Sequence, residues 1–179
     1  MDRETAPHGL SPLDRIRCRL AEGSRREGEF NGDGRDLAPP RPPTPAAVLV
    51  PLVVREQAPS VLLTRRTDHL HHHPGQISFP GGRLEADDAS PVHAALRETE
   101  EEIGLARSHV ELIGALPDYL TGTGFRVTPV VGLVHPPFDL TLDAFEVAEA
   151  FEVPLAHFLD PRNHQEHSIL HEGRMRRFH

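Results

Sequence analysis

Residues 81–105 read GGRLEADDASPVHAALRETEEEIGL, and this stretch predicts one well-delimited helix. Ser90 is a good N-cap residue, and Pro91 is favoured at the first helical position. Gly104 is a good stop signal, because glycine readily adopts the left-handed conformation in which many helices end. We therefore expect a helix that begins after Ser90 and ends before Gly104.

The predicted helix has two different faces. At about 100° per residue, Glu98, Glu101 and Glu102 fall on one face, at relative angles of about 0°, −60° and +40°. A separate apolar stripe consists of Val92, Leu96, Thr99 and Ile103. The helix is therefore expected to bury one side and to crowd three carboxylates on another.

Such a carboxylate face is either a solvated acidic surface or a metal site. Two carboxylates about 4 Å apart repel each other by roughly 4 kcal/mol at an effective dielectric constant of about 20. A divalent cation would reverse that repulsion, and hard cations such as Mg²⁺ prefer oxygen ligands. The upstream segment Phe79-Pro80-Gly81-Gly82 favours the metal site, because its glycines allow the backbone to approach a ligand closely.

Composition limits the class of protein. The 179 residues suit one domain with its own core, and the net charge of −8 opposes nonspecific nucleic-acid binding. The single cysteine, Cys18, excludes an intrachain disulfide and suits a reducing compartment. The sequence has no apolar run of membrane-spanning length and no signal-peptide pattern at its start. We therefore expect a soluble cytoplasmic protein without a membrane partner.

Two regions are predicted along the chain. Residues 1–45 contain a short helix at 11–22 and then a linker rich in Gly, Arg, Asp and Pro. Residues 46–179 are predicted to form an α/β domain that ends in a hairpin and stops abruptly, which indicates a short domain or a truncated sequence. The first strand of this domain, 46–54, contains Pro51 and is expected near a sheet edge or a bulge.

The acidic helix resembles the Nudix box, whose pattern is G, five residues, E, seven residues and REUXEEXGU, where U is bulky and apolar. Gly82 supplies the first position and residues 97–105 supply the second half. Asp88 stands in place of the first Glu, with eight rather than seven residues before Arg97, and Thr99 replaces an apolar residue. Asp88 is therefore expected to cap the helix or to be solvated rather than to bind a metal.

The segment that precedes the acidic helix narrows the resemblance to one branch of the Nudix hydrolases. Residues 62–82, LLTRRTDHLHHHPGQISFPGG, resemble a signature of the coenzyme A pyrophosphatase branch of Nudix hydrolases, roughly LLTxRSxxLRxHxGQxxFPGG. That branch also has the lengthened box. His71 stands where the branch often has Arg, which removes a permanent positive charge. With the segments 116–134 and 151–160, the resemblance covers residues 46–160.

The resemblance implies a Nudix fold, in which a mixed β-sheet is sandwiched between α-helices (α/β/α), and an enzyme that uses Mg²⁺ or Mn²⁺. The implied metal ligands, which are also catalytic, are Glu98, Glu101 and Glu102. The carbonyl of Gly81 or Gly82 is expected to complete the metal shell. Arg97 is expected to orient a glutamate through a salt bridge.

Further site residues are implied outside the helix. The general base is a box glutamate or a later carboxylate, for which Glu146 and Glu149 are the candidates. Arg66 and His73 are expected to contact the phosphates of the bound nucleotide. The run His71-His72-His73 lacks the cysteine or spaced histidine partners of a closed zinc site.

The implied substrate is a small nucleotide, coenzyme A or a derivative, cleaved into 3′,5′-ADP and 4′-phosphopantetheine. One alternative is a Nudix hydrolase of ADP-ribose or a dinucleotide. Another is a Nudix domain that binds a nucleotide without cleaving it, which the full set of glutamates disfavours. The resemblance also allows a homodimer.

Overall fold

The central sheet of the computed structural model is mixed, and among the described residues it has eight strands. These residues are 10–21, 32, 42–70, 73–165, 167–171 and 174–178. The predicted linker at 23–45 lies almost entirely outside them, as do His71 and His72. No helix within the described part of the chain is long and apolar enough to cross a membrane.

The strands of the sheet follow an order unlike their order in the chain. They are β1 (Thr44–Val53), β2 (Ser60–Arg66), β3 (Ile77–Ser78), β4 (Gly81–Arg83), β5 (Val110–Ala115), β6 (Tyr119–Leu120), β7 (Phe125–Val134) and β8 (Val147–Pro154). The main path is β3-β2-β1-β7-β5, while β4, β6 and β8 pair with β1, β7 and β2. β1 and β7 run parallel, and the other pairs are antiparallel.

The helices cover both faces of the sheet. They are α1 (Pro12–Ala21), α2 (Pro91–Ile103) and α3 (Leu155–Leu159). The predicted C-terminal hairpin is confirmed as β9 (His167–His171) paired with β10 (Arg174–Phe178).

Alternate residues of β1 pack against opposite helical layers, as the pleat of a strand requires. Ala47 and Leu49 are fully buried in one core, together with residues of α2. Leu52 lies in the other core with Leu155 of α3, and the apolar side of α1 also packs there. The predicted sandwich of a mixed sheet between helices is therefore confirmed.

The prediction that the first strand lies near a sheet edge or a bulge, which was based on Pro51, is wrong. The strand β1 is central. On one side β1 pairs with β7 along its whole length. On the other side it pairs first with β4, through residues 46–48, and then with β2, through Leu52 and Val53. The Leu49 N–H donates to the Pro80 carbonyl on this second side, so the alternation of the strand directs the Pro51 nitrogen there too. Pro51 therefore lies where the partner changes, and its missing N–H breaks no ladder hydrogen bond.

The N-terminal helix α1 lies against the sheet. Leu13, Ile16 and Leu20 pack on the core that contains Leu52, and Arg17 forms a salt bridge of 2.7 Å with Glu111 of β5. The division of the chain at residue 46 remains a prediction, but α1 contributes to the same core as the sheet.

The ends of α2 follow the predicted capping signals. The Ser90 side chain accepts a hydrogen bond from the His93 N–H, and Pro91 occupies the first helical turn. Gly104 ends the helix in the left-handed conformation, with φ 68°. The segment after β7 then docks on this end, because the N–H groups of Thr141 and Asp143 donate to the carbonyls of Ile103 and Glu102, each at 2.9 Å. These bonds satisfy carbonyls that a helix end leaves unpaired.

Gly104→Ala is expected to lower the free energy of unfolding by about 2–3 kcal/mol, because alanine is strained at positive φ and its Cβ would collide with Thr141. The nearest atom to that Cβ would be the Thr141 nitrogen at 2.9 Å. Gly124→Ala is the matched control, since Gly124 also has positive φ, 86°, but nothing lies within 4 Å of its added Cβ. That variant should lose only about 1 kcal/mol. Equal losses in urea denaturation would contradict the role of the Thr141 contact.

Candidate metal and active site

The apolar side of α2 fixes which residues face the sheet and which face the site. Ala94, Ala95, Thr99 and Ile103 are buried, and Val92 and Leu96 pack at the margin of the core that contains Ala94 and Ala95. Thr99, where an apolar residue was expected, donates its hydroxyl to the Ala95 carbonyl at 2.6 Å. The hydroxyl is therefore satisfied inside the helix, and threonine fits a buried position there.

Glu102 is the one buried glutamate of α2, with 7% of its surface exposed. It accepts a hydrogen bond of 3.1 Å from the Gly81 N–H. Burial is the main cause that raises the pKa of Glu102 to about 7; the neighbouring carboxylates Glu98 and Glu146 also raise it, while the Gly81 N–H and Arg66 lower it. Glu102 is thus a carboxylate held among like charges, which a cation would stabilise.

Glu98 lies against the glycine turn. A Cβ on Gly82 would come within 2.5 Å of the Glu98 Oε1 atom, so a side chain there would displace this carboxylate. Burial raises the pKa of Glu98, while the Arg97 guanidinium lowers it. Gly81 has φ 149°, and a Cβ there would come within 2.4 Å of the Ala47 carbonyl oxygen. Gly81 is therefore required by the close contact between this turn and β1, and Gly82 leaves the Glu98 carboxylate in its place.

Glu146 joins this pair from a distant part of the chain. Its carboxylate is close enough to raise the pKa of both Glu98 and Glu102. Its backbone is fixed by the Thr67 N–H, which donates to the Glu146 carbonyl at 2.9 Å. The other later candidate, Glu149, lies on β8 and pairs with Arg65 at 3.5 Å. Of the two candidates, Glu146 is therefore the one whose charge reaches the carboxylates of α2.

Glu101 points towards Arg97 rather than into this cluster. Its side chain is 60% exposed and lies 2.9 Å from the Arg97 Nη1 atom. Within the described residues, no three side chains of His, Cys, Asp or Glu already converge as a metal-binding group. The role of Glu101 as a ligand remains a prediction.

The expectation that Asp88 caps the helix or is solvated is wrong. Its side chain is 1% exposed and lies 2.9 Å from both the Arg97 Nη2 atom and the His93 Nδ1 atom. The hydrogen bond from Arg97 holds the pKa of Asp88 well below its usual range. Arg97 also contacts Glu98 at 3.1 Å, as a support for the box glutamates should. Asp88 is therefore the anchor of Arg97.

The two predicted phosphate contacts have different surroundings. Arg66 ends β2, where the register with β8 shifts by one residue, and its Nη1 atom lies 3.9 Å from the Glu102 Oε1 atom. A register shift of this kind re-aims a side chain near the end of a strand. His73 lies in an exposed turn with φ 55°, and the Gln76 N–H donates to its carbonyl. Arg66 thus faces the carboxylates, whereas the role of His73 remains a prediction.

Comparison with known proteins gives a family match. The model of the NUDIX domain matches residues 43–171. Two curated relatives, each named "Uncharacterized Nudix hydrolase NudL", come from Enterobacter sp. (strain 638) and Escherichia coli (strain K12) and are 51% and 50% identical over 114 residues. Each match covers 64% of this chain and 59% of the relative, so the chain spans less than two thirds of the length of these relatives.

Solved structures share the fold. An Ap4A hydrolase from C. elegans is 19% identical with a TM-score of 0.53, over 64% of this chain and 83% of that chain. The Nudix hydrolase RenU from M. smegmatis is 22% identical with a TM-score of 0.55, over 65% of this chain and 73% of that chain. At these identities the similarity concerns the fold alone.

In the metal-free protein, Glu102→Gln is expected to raise the free energy of unfolding by about 3 kcal/mol at about pH 8. The pKa of Glu102 is raised from 4.5 to about 7 in the folded chain, so between these values the unfolded chain releases a proton that the folded chain retains. The destabilisation by Glu102 is therefore absent below pH 4.5 and complete above about pH 7. Urea denaturation with a chelator across this pH range measures the difference. A gain of the same size at about pH 4 would show that the charge of Glu102 is not its cause.

Proposed function

Because the chain belongs to the NUDIX family, we propose that it hydrolyses the diphosphate bond of coenzyme A or a derivative, giving 3′,5′-ADP and 4′-phosphopantetheine. One observation carries the choice of substrate class. The segment 62–82, which resembles the coenzyme A branch, begins in β2 and ends at the glycine turn, so it borders the carboxylates of α2 both at the end of β2 and at this turn. Arg66 and Gly81 both lie next to Glu102, which supports a substrate held between this segment and the helix.

The donor atoms suit a hard divalent cation such as Mg²⁺ or Mn²⁺. Burial and repulsion from neighbouring carboxylates raise the pKa of Glu98 and Glu102, and a bound cation would relieve that repulsion. Glu98 and Glu102 would hold the ion, with Glu101 as a further ligand and the carbonyl of Gly81 or Gly82 within the same turn. When bound, such an ion neutralises charge on the diphosphate and lowers the pKa of the attacking water.

The other groups of the site have separate tasks. Glu146 accepts the proton of the attacking water as the general base, because its carboxylate belongs to the cluster but comes from a different segment than the helix. Arg66 binds a phosphate oxygen of the substrate and offsets its charge. Arg97, held by Asp88, positions Glu98. Cleavage then breaks the bond between one phosphorus and the bridging oxygen, and the other phosphate leaves.

The substrate is tested by incubating the protein with Mg²⁺ and, in parallel, with coenzyme A, ADP-ribose and dinucleotides. Chromatography of the products should show 3′,5′-ADP and 4′-phosphopantetheine from coenzyme A. Cleavage of ADP-ribose but not of coenzyme A would replace the proposed substrate by another nucleoside diphosphate derivative. Binding without cleavage, with either metal, would instead favour a domain that senses a nucleotide.

Glu102→Gln is expected to lower the turnover number by about a hundredfold or more, because it removes a carboxylate that would hold the cation at the diphosphate. Glu100→Gln is the matched control on the same helix, since Glu100 is exposed and its carboxylate pairs with Arg107 at 2.9 Å. That control should keep nearly the full rate. Steady-state kinetics with coenzyme A, together with thermal unfolding of both variants, make the comparison. A Glu102→Gln variant as fast as the control would remove Glu102 from the site.

A further inference from the structure

Phe145 is a large apolar side chain that the fold leaves exposed beside the site. Its side chain is 64% exposed, more than that of any other large hydrophobic residue in the described part of the chain. It directly precedes Glu146, whose carboxylate raises the pKa of Glu98 and Glu102. Single exposed apolar residues are common on protein surfaces, so the position of Phe145 matters more than its exposure.

The backbone around Phe145 is held on several sides. The Thr67 hydroxyl donates to the Phe145 carbonyl at 2.7 Å, and the Phe145 N–H donates to the Asp143 Oδ1 atom at 2.8 Å. The Asp143 N–H in turn donates to the Glu102 carbonyl at 2.9 Å. The ring is therefore carried by a turn that is attached both to the end of α2 and to the segment after β2. Little further ordering of this turn is needed when a ligand binds.

The ring of Phe145 is also supported at one side. The His69 ring packs against it in a T-shaped arrangement, with the ring centroids 4.9 Å apart and the planes at 61°. Because most of the Phe145 side chain is still exposed, this contact leaves aromatic surface open to a ligand. Such a surface suits a planar base, since stacking on an aromatic side chain needs no specific hydrogen bonds.

We propose that Phe145 is a binding residue on which the adenine base of the substrate stacks while the diphosphate lies at Glu98, Glu102 and Glu146. This inference rests on the proposed function, because it takes the diphosphate to lie at those carboxylates. Adenine is common to coenzyme A, ADP-ribose and the adenine dinucleotides, and in each it is joined to the diphosphate through a ribose. The pantetheine arm of coenzyme A has no planar ring, so the adenosine half is the one that fits this surface.

Kinetics with Phe145→Ala test the stacking. The KM for coenzyme A should rise about fivefold to tenfold while kcat stays unchanged, because the lost contact binds ground state and transition state alike. The variant Phe145→Trp, which retains an aromatic ring, should have the wild-type KM. Leu159→Ala is the control, since Leu159 is 56% exposed on α3 and has no place in the site. A diphosphate whose ribose carries no base should show the same KM with wild type and Phe145→Ala.

Calorimetric titration with 3′,5′-ADP separates this inference from the proposed function. Wild type and Phe145→Trp should bind it about fivefold to tenfold more tightly than Phe145→Ala, whether or not coenzyme A is cleaved. If coenzyme A is not cleaved but this difference persists, the proposed substrate fails and the role of Phe145 stands. Equal binding by wild type and Phe145→Ala, no binding by wild type, or an equal rise in KM for the base-free diphosphate would each overturn the role of Phe145.

Discussion

The close contact between the Gly81–Gly82 turn and α2 is the constraint on which the site depends. It places the Glu98 carboxylate where a side chain on Gly82 would otherwise lie, and it gives Glu102 an N–H partner inside the protein. Burying two neighbouring carboxylates is unfavourable on its own. The well-packed side of α2, with Ala94 and Ala95 against the sheet, supplies the stability that holds them there.

Asp88 and Arg97 make the second connection between the loop and the helix. Arg97 contacts Asp88, Glu98 and Glu101, so its positive charge lies among carboxylates and belongs to no single pair. The extra residue between Asp88 and the helix does not prevent this contact. The lengthened spacing is thus compatible with a short carboxylate side chain that is buried and paired.

Local signals predicted what depends on neighbours in sequence, and failed where partners come from elsewhere. The predictions that Ser90 begins the helix and that Gly104 ends it were correct, because capping involves only the adjacent turn of the helix. The prediction for Pro51 was wrong because the partners on each side of a strand are not written in its own sequence. The prediction for Asp88 was also wrong, since the burial of its side chain depends on the path of the loop around Arg97. No pattern around Phe145 indicates that Thr67 would fix it near the carboxylates.

The parallel pairing of β1 and β7 has a consequence for how the domain is assembled. Its partners lie far apart in the chain, with Thr44 opposite Phe125, and α2 packs across both strands through Ala47, Leu49 and Val130. Pairings between distant segments form slowly, because a long loop must be closed before any contact compensates for the lost entropy. The acidic face of α2 acquires its binding environment only when the Gly81–Gly82 turn and the segment that carries Glu146 lie against it. The ability of the site to bind a ligand therefore depends on the completed pairing of β1 and β7, and not on the helical motif alone.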